Sequence, residues 1–210
     1  EHSGEERDKD IGYATEILGW ALWLRGDLQA AAGELTKALA LAERIGETLL
    51  RDMTLLWLCL TALGRHDVQA VRAMLPQSYA AARAMGYRKG SGLVRCMAVS
   101  AWLAWQDGHP EEVISLAAEI DKCVPGAYVF DAMYRWVYLF PLLAARLQHG
   151  EVGEAATAAR RIIDPAQQRL PDDLTAALAA ACTAWDGGDS AAVAKHLARA
   201  LDLARAHAYF

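Results

Sequence analysis

The sequence has little from which to build a β-sheet. It contains only 3 phenylalanines, and no stretch alternates apolar and polar residues with a period of two. Alanine and leucine, both strong helix formers, dominate instead, with 43 and 28 copies among 210 residues. The composition therefore predicts an all-α protein.

Basic residues are not in excess. The chain has 21 lysines and arginines against 26 aspartates and glutamates, which gives a formal net charge of −5 and a pI near 5.7. Because a nucleic-acid-binding surface usually contains a basic stripe, we expect no direct binding of nucleic acid. The acidic residues are scattered along the predicted helices, and we interpret them as solvating charges.

Cysteine and histidine do not occur at the spacing of a metal site. The four cysteines lie far apart, without a CxxC pair or a histidine at ligand spacing, and are interpreted as small core residues in a reducing cytoplasm: Cys59, Cys96, Cys123 and Cys182. Three histidines fall at predicted turns, where exposed side chains are favoured over a pH-sensing or metal role: His66, His109 and His149. No metal or cofactor is expected.

Long apolar runs and catalytic constellations are also lacking. The most apolar segment, residues 129–147, is interrupted by Asp131, Arg135 and Pro141, so we expect no membrane span. No set of residues supplies a nucleophile, a base and an oxyanion donor, so the protein is not expected to be an enzyme. The chain begins at Glu1 without a methionine, which indicates a piece of a longer protein.

The chain does contain an internal repeat. Residues 18–46 recur in weakened form as residues 58–86, so that Asp27 corresponds to Asp67 at an offset of 40. Five turns follow one another at spacings of 40, 42, 42 and 38 residues, at Gly26, His66, Gly108, Gly150 and Gly188. Glycine suits the left-handed residue that ends a helix, and Asp27, Asp67 and Asp189 are suited to cap the next helix.

This pattern predicts five antiparallel helix pairs. The predicted helices cover residues 9–25, 27–45, 48–64, 67–86, 90–107, 110–122, 127–148, 151–164, 171–187 and 189–208. Pro76 and Pro141 fall inside helices and should kink them or shift a boundary. Because no pair can bury its apolar face alone, the pairs should stack into one repeat domain over residues 1–210, as a right-handed superhelix or α-solenoid. The repeats cover approximately residues 9–46, 48–86, 90–123, 127–165 and 171–210.

The first repeat resembles the tetratricopeptide motif. Its matching positions are Leu18, Gly19, Leu22, Gly26, Ala31, Leu35 and Ala38, and the fifth repeat keeps Gly188, Val193, Leu197 and Ala200 in register. The family's early tryptophan and closing proline are missing, and the repeat is longer than the usual ~34 residues. The resemblance implies a concave groove that is lined by the first helix of each pair and binds a protein or peptide.

Repeats of this length, with phrases such as ALALAERIG, also resemble the C-terminal region of bacterial LuxR-type ATP-dependent transcription regulators and of cyclase-linked ATPase regulators. That resemblance implies a cytoplasmic sensor and protein-interaction module in transcription regulation or signalling. The chain has no Walker A motif, no cyclase metal aspartates and no DNA-reading helix-turn-helix, so such activities would lie in other parts of the polypeptide.

The tetratricopeptide resemblance also implies which residues would line the groove. The groove positions of the family's first helix correspond here to an apolar, aromatic-rich set of residues. The candidate binding residues in this set are Tyr13, Trp20, Trp23, Leu60, Arg95, Trp102, Trp105, Phe140 and Trp185. Further positions selected in the same way are Glu16, Met53, Leu56, Leu63, Ala98, Val137 and Leu147. Five of the seven tryptophans recur at two repeat positions, which favours a groove; the alternative is that they fill gaps between packed helices.

Three functional hypotheses follow from the sequence. The first is a non-catalytic interaction and sensor module of a bacterial regulator, which binds a partner protein, a peptide, or ATPase or DNA-binding domains of the same polypeptide. The second is a receptor for a hydrophobic small molecule, held in the same groove. The third is a free-standing tetratricopeptide adaptor.

Overall fold

The computed structural model describes residues 2–85, 91–123 and 134–209. These residues form helices joined by turns and contain no strand, which confirms the all-α prediction. The described helices are α1 (His2–Leu24), α2 (Leu28–Ile45), α3 (Thr48–Gly64), α4 (Val68–Ala84), α5 (Ser91–Gln106), α6 (Pro110–Cys123), α7 (Trp136–Gln148), α8 (Val152–Ile162), α9 (Asp172–Asp186) and α10 (Ser190–Ala206).

The predicted helix ends agree closely with the structure where a turn marks them. The largest difference is α1, which begins at His2 instead of residue 9, although its first two turns are rich in charge. The predicted helix 127–148 is described from Trp136, and its residues 127–133 lie outside the described part of the chain, as does Gly86. Pro76 and Pro141 both lie inside helices, α4 and α7.

The five predicted turns share one backbone geometry. Each contains a residue with positive φ: Gly26 (80°), His66 (55°), Gly108 (75°), Gly150 (75°) and Gly188 (77°). At every one of them the following amide donates to a carbonyl five residues back, at 2.9 or 3.0 Å. The amide of the left-handed residue itself donates three residues back, at 2.9–3.1 Å. These two bonds define the Schellman helix ending, which satisfies carbonyls that the helix would otherwise leave free.

Aspartate caps the helix that follows three of these turns. The Asp27 carboxylate accepts from the amide of Ala30 at 3.2 Å, and Asp67 and Asp189 accept from the equivalent amides of Ala70 and Ala192. Such a cap satisfies an amide in the first turn of the helix and stabilises it by about 1 kcal/mol. The predicted capping residues are therefore confirmed.

The chain divides into two compact units, residues 1–96 and 97–210. In the first unit, α3 contacts α1, α2 and α4, and α1 also contacts α2. Helix α3 is apolar around most of its circumference, and residues 54–63 are all buried. A helix that is hydrophobic on every side needs neighbours on every side, so α3 forms the centre of this unit.

Glycine permits the close approach of α1 to its neighbours. A Cβ added at Gly19 would lie 2.6 Å from Cγ of Leu35 in α2, and one at Gly12 would lie 2.5 Å from Cδ2 of Leu50 in α3. Real Cβ atoms do not approach other atoms this closely, so a side chain at either position would force the neighbouring leucine or its helix to shift. The match of Gly19 to the Leu-Gly step of the repeat thus has a packing reason.

In the second unit, α7 contacts α6, α8 and α10, while α8 also contacts α9 and α10. A cluster of polar side chains joins α6, α7 and α8 at the edge of the core. The Arg161 guanidinium of α8 donates to the Asp121 carboxylate of α6 at 2.6 and 3.0 Å and to the Tyr138 hydroxyl of α7 at 2.6 Å. Burial raises the pKa of Tyr138, so its hydroxyl stays protonated at neutral pH and donates to Asp121.

Throughout residues 2–85, 91–123 and 134–209, no helix is both long enough and apolar enough to cross a bilayer.

The Gly19 contact makes a direct prediction. Gly19→Ala should lower the free energy of unfolding by about 1–3 kcal/mol, because the added methyl group meets Leu35 in a packed interior. The matched control is Gly33→Ala in α2, where the position is exposed and nothing lies within 4 Å of the new Cβ. That variant should gain roughly 0.5–1 kcal/mol from helix propensity. Urea denaturation followed by circular dichroism measures both; a stabilised Gly19→Ala variant would contradict the packing argument.

The left-handed conformation of His66 leads to a second prediction. His66 is the turn residue that keeps a side chain in the left-handed region where Gly26, Gly108, Gly150 and Gly188 have none. His66→Gly should stabilise the protein by about 1 kcal/mol, since the Cβ strain is removed, and raise the melting temperature by about 2–4 °C. Gly26→Ala should shift it in the opposite direction. Equal melting temperatures for all three proteins would show that these turns carry no strain.

Candidate functional site

Three tryptophans meet on the first unit and form what we term the α1 tryptophan cluster: Trp20 and Trp23 from α1 and Trp57 from α3. The Trp20 and Trp57 rings stack with centroids 5.7 Å apart, and Trp23 tilts against Trp57 at 5.6 Å. Trp57 is buried, whereas Trp20 and Trp23 are each half-buried. The cluster therefore has a fixed aromatic base and two indoles that reach the surface.

A buried carboxyl group lies beneath this cluster. Glu16 is one turn before Trp20 and is only 3% exposed. Burial raises the pKa of Glu16, while a hydrogen bond from the Trp57 indole acts in the opposite direction. The sequence-based interpretation of the acidic residues as solvating charges is wrong for Glu16, because its carboxyl group is buried and accepts a hydrogen bond from the Trp57 indole.

Tyr13 lies one turn further along α1, towards its N-terminus. Its hydroxyl donates to Oε1 of Glu47 at 3.3 Å, and Lys9 forms an ion pair with Oε2 of Glu47 at 2.9 Å. Burial and the charge of Glu47 raise the pKa of Tyr13 to about 12. The adjoining cavity, about 450 Å³ in volume, is lined by Glu5, Glu6, Lys9, Ile45 and Glu47. Its lining is mostly charged, unlike the predicted apolar groove.

The predicted residue Arg95 lies in a second buried polar group of the first unit. Its guanidinium donates to Oδ2 of Asp52 at 2.7 Å; the Asp52 side chain is 4% exposed and that of Arg95 is 15% exposed. Burial raises the pKa of Asp52, and Arg95 opposes that shift. Asp52 is thus a second exception to the interpretation of acidic residues as solvating charges. The ion pair compensates for the burial of both charged groups.

The nearby thiols are not activated. Burial raises the pKa of Cys59 to about 11, and burial together with the charge of Asp52 raises that of Cys96 to about 12. Both therefore remain protonated at neutral pH, whereas a nucleophilic cysteine needs a lowered pKa. Across the described ranges, no group of three or more histidine, cysteine, aspartate or glutamate side chains is placed to hold a metal ion.

Three of the predicted binding residues lie in the hydrophobic core. Leu60 of the first unit is 2% exposed, and Trp102 and Phe140 of the second unit are fully buried. Packing explains the position of all three. For Trp102 this is the alternative interpretation of the sequence, a tryptophan that fills a gap between packed helices. Their repeat register selects a helix face, but it does not distinguish a face covered by neighbouring helices from one open to solvent.

The remaining predicted residues divide between the two units. Tyr13, Trp20 and Trp23 are half-buried on α1. In the second unit Trp105 is half-buried, and Trp185 is 40% exposed with its ring lying over Gly153 of α8. The structure therefore brings together the α1 residues; a single surface that includes Trp105 and Trp185 stays a prediction.

Sequence reasoning did not select Trp57 or Asp52. Trp57 does not fall at a groove position of the repeat. The only feature of the sequence that indicated its burial was its place within an uninterrupted apolar stretch of α3. Asp52 carried no signal, because its partner Arg95 lies 43 residues away, in another helix.

Comparison with models of known protein families and with curated proteins found no match.

The buried Glu16 predicts an unusual pH dependence. The folded protein holds the Glu16 proton more tightly than the unfolded chain does, so this residue makes the free energy of unfolding fall as the pH rises above about 4.5. Glu16→Gln should therefore raise the melting temperature near neutral pH by a few degrees, at about 2–4 °C per kcal/mol. The gain should shrink towards pH 4.5.

Melting curves of the wild type and of Glu16→Gln between pH 4.5 and 8 measure this effect. The control is Glu6→Gln, an exposed position of the same helix, which should leave the profile unchanged. A Glu16→Gln variant that is less stable than the wild type at every pH would show that the charged carboxylate is needed.

Proposed function

We propose that this chain is a non-catalytic interaction module that binds a protein or peptide segment through Tyr13, Trp20 and Trp23 of the first unit. The observation that carries the proposal is the α1 tryptophan cluster, in which two partly exposed indoles rest on a buried third. Rings held in this way lose little conformational entropy when a partner covers them. Tryptophan and tyrosine are also among the residues that most often dominate binding energy.

The orientation of the indoles indicates what the partner offers. The ring nitrogens of Trp20 and Trp23 are buried, so the parts of both rings that reach solvent are carbon edges. Carbon edges select apolar groups, and the adjacent Tyr13 hydroxyl and Glu47 carboxylate add a polar border. An amphipathic segment with large apolar side chains on one face fits this arrangement.

The recurrence of one turn geometry supports the proposal of a tetratricopeptide-like α-solenoid. The five Schellman turns are spaced by 38 to 42 residues, and each would join the two helices of one proposed antiparallel pair. In the proposed right-handed superhelix of five pairs, the first helix of each pair lines the concave side, and α1 is the first of these. A place in a bacterial transcription or signalling regulator is proposed on the separate resemblance of these repeats to the C-terminal region of LuxR-type and cyclase-linked ATPase regulators.

Selection from a phage-displayed peptide library tests the proposal. The best peptide should bind the full chain, and its Kd is measured by fluorescence anisotropy with Trp20→Ala and Trp23→Ala. Each substitution should weaken binding by about 2–4 kcal/mol, or roughly 30- to 1000-fold, because an anchor in the centre of the contact is removed.

Trp185→Ala is the matched control, because Trp185 is an exposed tryptophan of the second unit. It should leave the affinity unchanged if the site is confined to α1. Circular dichroism must show that each variant is folded at the assay temperature, since Trp23 also packs on Trp57. Peptides that bind wild type and both α1 variants equally would contradict the proposal. Stabilisation by an apolar metabolite without any peptide binding would favour the small-molecule receptor.

A further inference from the structure

Helix α1 is apolar on two faces, only one of which is covered. Gly12, Glu16 and Gly19 are buried on the covered face. On the other side runs an exposed apolar row, here termed the α1 outer stripe: Ile11, Ala14, Ile17, Leu18, Ala21 and Leu24. Its four large members are 43%, 54%, 49% and 51% exposed, for Ile11, Ile17, Leu18 and Leu24 respectively. Contiguous apolar surface of this kind marks an interaction site more often than isolated apolar residues do.

The spacing of the outer stripe suits another helix. Residues 11, 14, 18 and 21 follow one another by three, four and three positions, and residues 17 and 24 lie seven apart beside them. This is the pattern of a helix seam in which side chains interdigitate with those of a partner helix. The two alanines permit close approach of the partner backbone.

The stripe is complementary to itself when one copy is reversed. If a two-fold axis passes between Ile17 and Leu18, these two residues face each other across the axis. Ile11 then lies opposite Leu24, and Ala14 opposite Ala21. Large residues thus meet large ones and small residues meet small ones along the whole seam. Such pairing of a surface with itself is what an isologous two-fold interface requires.

The charges at the two ends of the stripe favour the same arrangement. Asp10 precedes Ile11, and Arg25 follows Leu24; both are exposed, and neither forms an ion pair within the part of the chain that is described. In the reversed register Asp10 of each copy faces Arg25 of the other. In a parallel register each charge would face its own copy, and both ends would repel.

We propose that the α1 outer stripe binds a second copy of this chain in antiparallel register, with Asp10 of each copy paired to Arg25 of the other. At 1.5 Å per residue the apolar seam from Ile11 to Leu24 is about 20 Å long. Stable interfaces usually bury about 800 Å² on each partner, and one short helix face is smaller. The dimer is therefore expected to form at micromolar concentrations.

Charge reversal tests the register. The dissociation constant of the full chain is measured by sedimentation equilibrium at about 5–500 µM, a range set by the small interface. By symmetry, Asp10→Arg creates two like-charge contacts per dimer, and so does Arg25→Asp. Each should weaken the dimer roughly tenfold or more. The double variant Asp10→Arg/Arg25→Asp should restore the wild-type value, because it exchanges the two charges without changing the seam.

Ile17→Glu tests the apolar contact and should abolish dimerisation, since it places two carboxylates at the two-fold axis. Arg199→Asp on α10, an exposed arginine of the second unit, is the control and should leave the dissociation constant unchanged. A wild-type chain that is monomeric throughout the range overturns the proposal. Dimerisation that is unaffected by the single reversals, or that is not restored in the double variant, also overturns it. None of these outcomes depends on the tryptophan cluster.

Discussion

The left-handed residue at each of the five turns is the constraint on which the rest of the structure depends. At each turn two amides donate to carbonyls in the last turn of the preceding helix, and the chain changes direction before the next helix begins. Where aspartate follows, as at Asp27, the next helix is capped at once. Helices such as α1 and α2 then pack through their apolar faces, and small residues such as Gly19 determine how closely they approach.

These local features explain why the helices could be predicted from sequence. Glycine, aspartate and proline act within a few residues of their own position, so the turns at Gly26 and Gly188 and the helices between them follow from the chain itself. The start of α1 was predicted too late because no capping signal precedes it; the helix simply continues through a charged segment to His2. Local chemistry thus defines an end well only where a turn is present.

The candidate site was less predictable because burial is a tertiary property. Trp20 and Trp102 occupy the same position of the repeat, yet one reaches the surface and the other is fully buried. Glu16 likewise has the sequence context of a solvating acid, yet in the fold it is buried and hydrogen-bonded to Trp57 of another helix. A repeat pattern identifies equivalent helix faces, but the neighbours that cover each face differ from repeat to repeat.

Helix α1 combines two adjoining surfaces. Trp20 borders the outer stripe, because Ile17 lies three residues before it and Leu24 four residues after it. Trp23 lies further around the helix, at least about 100° from every residue of the stripe. In the proposed antiparallel dimer the two-fold axis generates two equivalent tryptophan clusters, one from each copy. A partner that carries two apolar segments would then bind the second intramolecularly, and its avidity would exceed the affinity of a single cluster without any new contact. Dimerisation through the stripe and recognition through the tryptophans would in this way reinforce each other.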